Sequence, residues 1–303
     1  MRHRPSLVRR MVVSLGFTAA LLGAGVPLGV ALAGSEGPTA TEPAPGLIFN
    51  RVFIIVLENT DFDRAMRAPF LRHLTTRGAL LTDFHAITHP SFPNYLAMVT
   101  GSTLGIRDNL PRDLDVTSLV DLLEPAGVSW KVYAEDLPSP CFLGTASPDG
   151  RYVRKHEPYI SLRHIQTNPA RCARIVTAAQ LSIDLAQDAV PQYSLYVPNL
   201  RHDGHATGIR EADAWLQAFL TPLLLDPHFM RRTLVVVTFD EDSGSAANHI
   251  YTALVGDMVQ PGAINGNSYT HYSLLRLIED NYGVGTLGRE DAKATAICCI
   301  WKR

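Results

Sequence analysis

The chain is poor in cysteine and has no thiol pair spaced for a metal. Cys141, Cys172, Cys298 and Cys299 are the four cysteines in 303 residues. No Cys-x-x-Cys spacing occurs, which argues against a thiolate-held zinc. No Lys/Arg-rich run follows the N-terminal segment, and the formal net charge is only −2. A nucleic-acid partner is therefore not expected. No internal repeat is visible, and beyond the N-terminal segment no apolar run is long enough to cross a bilayer.

The N-terminus is different. A basic start (Arg2, His3, Arg4, Arg9, Arg10) precedes an apolar run from Met11 to Leu32, and Ala31-Leu32-Ala33 supplies a small-x-small cleavage pattern. This reads as a secretory signal peptide over residues 1–33 and implies a secreted protein, with an uncleaved anchor as the alternative. Residues 34–48 read as a flexible leader, and 49–303 as one domain large enough for a substantial core. In an oxidising compartment Cys141 pairs reasonably with Cys172. Cys298 and Cys299 leave three options open: pairing with each other, pairing across chains, or staying reduced.

Strand and helix patterns alternate along the domain. Arg51 to Leu57 and Thr233 to Phe239 are continuous branched-apolar runs, the pattern of strands buried on both faces. Ala79–Phe84, Val128–Ala134, Tyr193–Val197 and Tyr251–Val255 also read as strands. Helical spacing marks Phe70–Arg77, Leu119–Glu124, Leu181–Asp188, Ile209–Leu225 and Ser273–Tyr282. The expectation is an α/β fold, a three-layer α/β/α sandwich with a mostly parallel central sheet. Residues 137–173 lack periodicity and read as an excursion over the active face. Its basic residues Arg151, Arg154, Lys155 and His156 are candidates to meet an anionic substrate, with a solvated basic loop the expectation for most of them.

The stretch Thr88-His-Pro-Ser-Phe-Pro-Asn-Tyr-Leu-Ala-Met-Val-Thr-Gly101 sits at the centre of the functional reading. Pro90 disfavours helix at His89, Pro93 suits a first helical turn, and Gly101 stops the helix. Ser91 is thereby delivered to a helix mouth, where the dipole and unpaired N–H groups favour phosphate; simple helix capping is the other use of a serine there. Two distant strand ends carry acids: Glu58-Asn59 and Asp240-Glu241. Gathering three carboxylates without a cation raises their pKa values, and a divalent ion removes the conflict. Oxygen ligation with an amide suits Mg, Ca, Mn or Zn. That ion would lower the Ser91 pKa for attack on phosphorus. His202, His205, His249 and His271 follow strands or precede a helix and are candidates for phosphate contact, metal ligation or leaving-group protonation.

The segments THPSFPNYLAMVTG, YAEDLPSPC, YVRKHEP, VPNLRHDGH, DAWL, VVVTFDEDSG and THYSLLRLIEDNYG together resemble the bacterial phosphoesterase family of alkaline-phosphatase-like fold. Within that family they are most similar to secreted acid phosphatases, a group that includes a phosphatidylinositol 3-phosphate phosphatase and is related to phosphatidylcholine-hydrolysing phospholipases C. The resemblance runs from about residue 50 to 283. It implies Ser91 as a nucleophile forming a phosphoserine and Asn94 as a holder of a phosphate oxygen. Glu58, Asn59, Ser91, Asp240 and Glu241 would be the ligands of a metal, with His202 and His271 as phosphate contacts or proton donors. Where relatives in the wider superfamily carry Asp-His and two metals, Glu241 replaces the histidine and Arg201 stands four positions before His205. One divalent ion is accordingly expected.

The resulting expectation is a secreted, metal-dependent acid phosphatase acting on a phosphorylated small molecule or phospholipid, phosphoinositides included. A phospholipase C-type phosphodiesterase is the alternative. A non-catalytic binding protein is disfavoured because no nucleophile or ligand is lost. A sulfatase is disfavoured because its modified Cys or Ser needs another motif.

Overall fold

A computed structural model describes residues 46–302. The expected signal peptide (1–33) and almost all of the expected leader (34–48) lie outside the described residues. The domain is built on an eight-stranded sheet of spatial order β4-β3-β5-β1-β6-β7-β2-β8. The strands are β1 (Arg51–Leu57), β2 (Ala79–His85), β3 (Trp130–Ala134), β4 (Ile175–Thr177), β5 (Tyr193–Val197), β6 (Thr233–Phe239), β7 (Thr252–Val255) and β8 (Ala263–Thr270). Only β7 runs against the others, so the sheet is mostly parallel, as expected. Helices cover both of its faces.

The two central strands show why the sequence pattern was informative. All seven residues of β6 and six of the seven in β1 are buried, because helices shield both sides. Such strands need apolar side chains in both directions, hence continuous rather than alternating runs. Helices Pro69–Arg77 and Ile209–Leu225 touch each other, while Ser91–Thr100, Leu119–Leu123 and His271–Tyr282 form a second contacting group. Every residue of Ser91–Thr100 is buried, and it ends at Gly101 in the left-handed conformation that glycine adopts without Cβ strain.

Two strands escaped the sequence reading. β8 is an edge strand with mostly exposed residues around Asn265-Gly266-Asn267-Ser268, and β4 has only three residues. Neither carries an apolar period. The excursion 137–173 is tied by a Cys141–Cys172 disulfide, as expected. Its expected solvated basic face is only partly there. Arg154 is buried, with its guanidinium on Asp113 (2.5 Å) and the carbonyls of Leu143, Arg112 and Ile160. His156 is also buried. Residues 152–162 of the segment are thus mostly buried and run through short helical turns, while the stretches on either side are largely exposed.

Two buried glutamates make stability depend on pH. Burial raises Glu157 to about 7, against hydrogen bonds from the Ile160 and Tyr159 N–H groups. Burial and then Asp291 raise Glu279 to about 8. Each carboxyl holds a proton in the folded chain that it has lost in the unfolded one, so its stabilisation fades as pH rises through the folded value. The opposing groups are histidines held neutral by burial, such as His271, and they act only below their unfolded value near 6.5. Thermal unfolding in EDTA should therefore show stability falling between pH 6.5 and 8. The Glu157→Gln/Glu279→Gln double variant should have a shallower slope.

Candidate active site

Strand register assembles the acidic half of the site. β1 and β6 pair in parallel from Arg51 opposite Thr233 to Leu57 opposite Phe239. The next residues along each strand, Glu58 and Asp240, are therefore neighbours. The Asp240 N–H donates to the Leu57 carbonyl (2.9 Å), and the Asn59 N–H donates to Asp240 Oδ1 (3.3 Å). Glu58, Asp240 and Glu241 are all buried.

Ser91 enters from the opposite side as the first residue of its helix, behind Pro90 as N-cap. Its hydroxyl does not cap the helix. Ser91 Oγ lies 3.2 Å from Glu58 Oε2 and 3.1 Å from Glu241 Oε1, in donor geometry to both. Asn59 Nδ2 donates to Glu241 Oε1 (2.8 Å), and its Oδ1 faces His205 Nδ1 (2.8 Å). The five expected metal ligands thus share one small volume, with the expected nucleophile Ser91 among them.

Charge crowding in this volume is uneven. Burial, followed by the Glu58 and Glu241 charges, pushes the Asp240 carboxyl well above the usual range, against hydrogen bonds from Ser91 and the Asn59 N–H. Asp240 Oδ2 is buried with no hydrogen-bond partner. Burial alone would also raise Glu58, but His156, Lys155 and the Tyr95 hydroxyl together hold the carboxyl low. Tyr95 donates to Glu58 Oε1 at 2.5 Å and its ring stacks on His156 at 5.3 Å. His156 lies 3.2 Å from Glu58 Oε1 and 3.6 Å from Asp203 Oδ2. Burial and the Glu58 charge raise Asp203 to about 8. Among the described residues no three His, Cys, Asp or Glu side chains already stand as a ready-made metal cage.

The other expected residues divide. His271 is fully buried at the start of its helix, with Nε2 on the Asp240 carbonyl (2.7 Å) and Nδ1 unpartnered. Burial lowers it to about 4, so it is neutral and buttresses Asp240 from behind. Asn94 has its whole hydrogen-bonding capacity taken by the preceding loop: Oδ1 accepts from the Ile87 and Thr88 N–H groups, and Nδ2 donates to the Thr88 and Pro90 carbonyls. It shapes the Ser91 turn and turns neither end of its amide to phosphate. His202 binds Glu135 Oε2 (2.7 Å), stacks on Trp215 (5.2 Å) and lines a separate cleft of about 780 Å³. His249 is stacked between Phe62 and His85 with Nε2 on the Thr82 carbonyl, away from Ser91.

Three residues around the site, His89, Tyr95 and Asp203, were not found from sequence, and His156 was named only as one of the basic residues that could meet an anionic substrate. His89 Nδ1 reaches Glu241 Oε2 at 2.5 Å and is the partly exposed histidine on that carboxylate. Tyr95 was findable, since it lies one helical turn after Ser91 and shares its face. His156 had no such signal.

Comparison with known proteins finds relatives in both sequence and fold. The sequence profile of the Phosphoesterase family matches residues 64–285. A probable acid phosphatase of Kluyveromyces lactis is 37% identical over 281 residues, 88% of this chain and 66% of the relative. An acid phosphatase of Aspergillus fumigatus is 36% identical over 264 residues, 83% of this chain and 59% of the relative. This chain spans less than two thirds of either fungal relative's length. A phosphatidylinositol-3-phosphatase of Mycobacterium tuberculosis is 32% identical over 302 residues, 97% of this chain and 95% of the relative. Among solved structures, an alkaline phosphatase superfamily protein from Vibrio parahaemolyticus aligns with TM-score 0.57 and 13% identity, over 84% of this chain and 72% of its own. Murine ectonucleotide pyrophosphatase/phosphodiesterase 5 aligns with TM-score 0.54 and 10% identity, over 81% and 100%. At such identities the likeness establishes the alkaline-phosphatase-like fold.

The crowding at Asp240 gives a stability test. In EDTA, Asp240→Asn replaces a buried carboxyl, whose ionisation burial and the Glu58 and Glu241 charges oppose, with a neutral amide. The thermal midpoint should rise by about 2–4 °C, the size of a kcal/mol in a domain of this length. Calorimetry at neutral pH checks it.

Proposed function

Because this chain belongs to the phosphoesterase family, we propose that it is a secreted, metal-dependent phosphatase that hydrolyses phosphate monoesters through a phosphoserine on Ser91. The observation that carries this reading is the hydroxyl of Ser91, held at a buried helix N-terminus between Glu58 and Glu241 at 3.2 and 3.1 Å.

The residues present fit a divalent cation. Three buried carboxylates, an amide and a hydroxyl form an oxygen-rich donor set, and the partnerless Asp240 Oδ2 is an acceptor in want of a positive charge. Glu58, Asn59, Ser91, Asp240 and Glu241 would hold the ion. When bound, it supplies electrostatic stabilisation of the Ser91 alkoxide and of phosphoryl charge.

The chain's own groups do the rest. Ser91 attacks phosphorus in line, and its proton passes to one of the two carboxylates within hydrogen-bond reach. The N-terminus of helix Ser91–Thr100 places positive dipole charge beside the phosphoryl oxygens. Asn94 keeps the 87–90 turn in the shape that aims Ser91, and His271 fixes the Asp240 backbone. His89, partly exposed and on Glu241, is placed to exchange a proton with the leaving alcohol or the incoming water. A water then hydrolyses the phosphoserine and frees phosphate.

The substrate class follows the same reasoning. The names of the relatives support phosphate monoesters, with phosphoinositides among them. No described helix is long and apolar enough to cross a membrane.

Ser91→Ala should reduce release of 4-nitrophenol from its phosphate ester by about 10⁴-fold or more. Acid quench of the wild-type enzyme during turnover should trap phosphate on the peptide containing Ser91. Retained turnover in the alanine variant would defeat the assignment. A phosphate-release panel that includes phosphatidylinositol 3-phosphate then fixes the substrate class.

A further inference from the structure

The adjacent cysteines near the C-terminus lie outside the active site and are not absorbed by the function above. Cys298 Sγ and Cys299 Sγ are 2.8 Å apart, well inside non-bonded contact. Cys299 is exposed and has φ +64°, a left-handed bend unusual for a residue with a Cβ. That bend turns its side chain back toward Cys298. The backbone on both sides is anchored. Asn265 of β8 donates through Nδ2 to the Cys298 carbonyl (2.8 Å), Gln260 N–H donates to the Ile300 carbonyl (2.8 Å), and Lys302 N–H donates to the Met258 carbonyl (2.8 Å). The two thiols are thus held together by the fold rather than meeting by chance.

We propose that Cys298 and Cys299 form a vicinal redox site that closes to a disulfide by exchange with a low-molecular-weight disulfide and reopens in excess thiol. One thiolate attacks the external disulfide, forming a mixed disulfide and releasing one thiol. The second thiolate attacks the protein sulfur of that bond and releases the other. The protein loses two hydrogens and the oxidant gains them as two thiols, so the exchange balances. Consecutive Cα atoms stand about 3.8 Å apart, closer than the about 4.4–6.8 Å of ordinary bridges. The closed form is therefore strained and belongs to the reducible class of disulfides rather than the structural one. The Cys141–Cys172 pair, with Cα atoms 5.0 Å apart, lies within the ordinary range. The location gives the switch a structural meaning. Cys298 is hydrogen-bonded to the exposed edge strand β8, and Trp301 bridges Val259, so the ring would stiffen a segment that covers a sheet edge.

The test uses the full chain, reduced, desalted and exposed to oxidised glutathione. The protein is then denatured, alkylated with iodoacetamide without reductant, and cut with trypsin. The peptide Ala294–Lys302 should appear unalkylated and two hydrogens lighter than the dithiol, and should revert to a doubly alkylated form after dithiothreitol. Two carbamidomethyl groups without reductant, a persistent glutathione adduct, or a cross-linked dimer would each overturn the proposal. In Cys298→Ser the same treatment should leave glutathione on Cys299, because no neighbour remains to displace it. Failure of that adduct to form would show the thiol to be unreachable and would also overturn it.

Discussion

The parallel pairing of β1 with β6 is the constraint on which the rest of the site depends. It sets Glu58 against Asp240 at the carboxyl ends of two strands that are buried along almost their whole length. A one-residue slip would turn every side chain on one strand to the opposite face and scatter the acids. The chemistry at the strand ends thus inherits its geometry from the packing of the layers beneath.

Holding three carboxylates in one dry volume is unfavourable, and the surrounding residues divide the burden. Glu58 keeps its charge because Tyr95 and His156 face it. Glu241 is met by Asn59, Ser91 and His89. Asp240 is left least compensated, with one oxygen on a backbone N–H and the other on nothing. The residual conflict is localised on the one carboxylate at the centre of the group. Such a residue lowers the stability of the fold for the sake of what the site binds, the trade expected at a functional centre.

The legible parts of the sequence were those where local pattern and tertiary role coincide. Helix Ile209–Leu225 and strand Thr233–Phe239 are found where their periodicity places them. The five oxygen donors could be named because each follows an apolar strand or opens a buried helix. What stayed hidden had no local pattern. β8 is an edge strand that needs no apolar face, and His156 lies in a stretch whose prolines and charges resemble a surface loop. Asn94 and His271 lie beside Ser91 and Asp240, yet their hydrogen bonds run to backbone groups of Thr88, Pro90 and Asp240. A sequence shows which side chains are capable of a contact, but not which partner takes up that capacity first.

The excursion 137–173 shows how a segment without periodicity can be as constrained as the core. It must bring His156 to 3.2 Å from Glu58, and a mobile loop would lose conformational entropy each time it did so. Three devices remove that freedom in advance. The Cys141–Cys172 bridge closes the loop at its base. Arg154, two residues before His156, is locked by Asp113 and three carbonyls. Glu157, one residue after it, accepts the N–H groups of Tyr159 and Ile160 and fixes the chain beyond. With both neighbours pinned, the imidazole has one place to go, stacked on Tyr95 and between two carboxylates. Placing a histidine on Glu58 from a distant loop therefore required burying an arginine and a glutamate on either side of it, and that is why the stretch reads as polar while behaving as core.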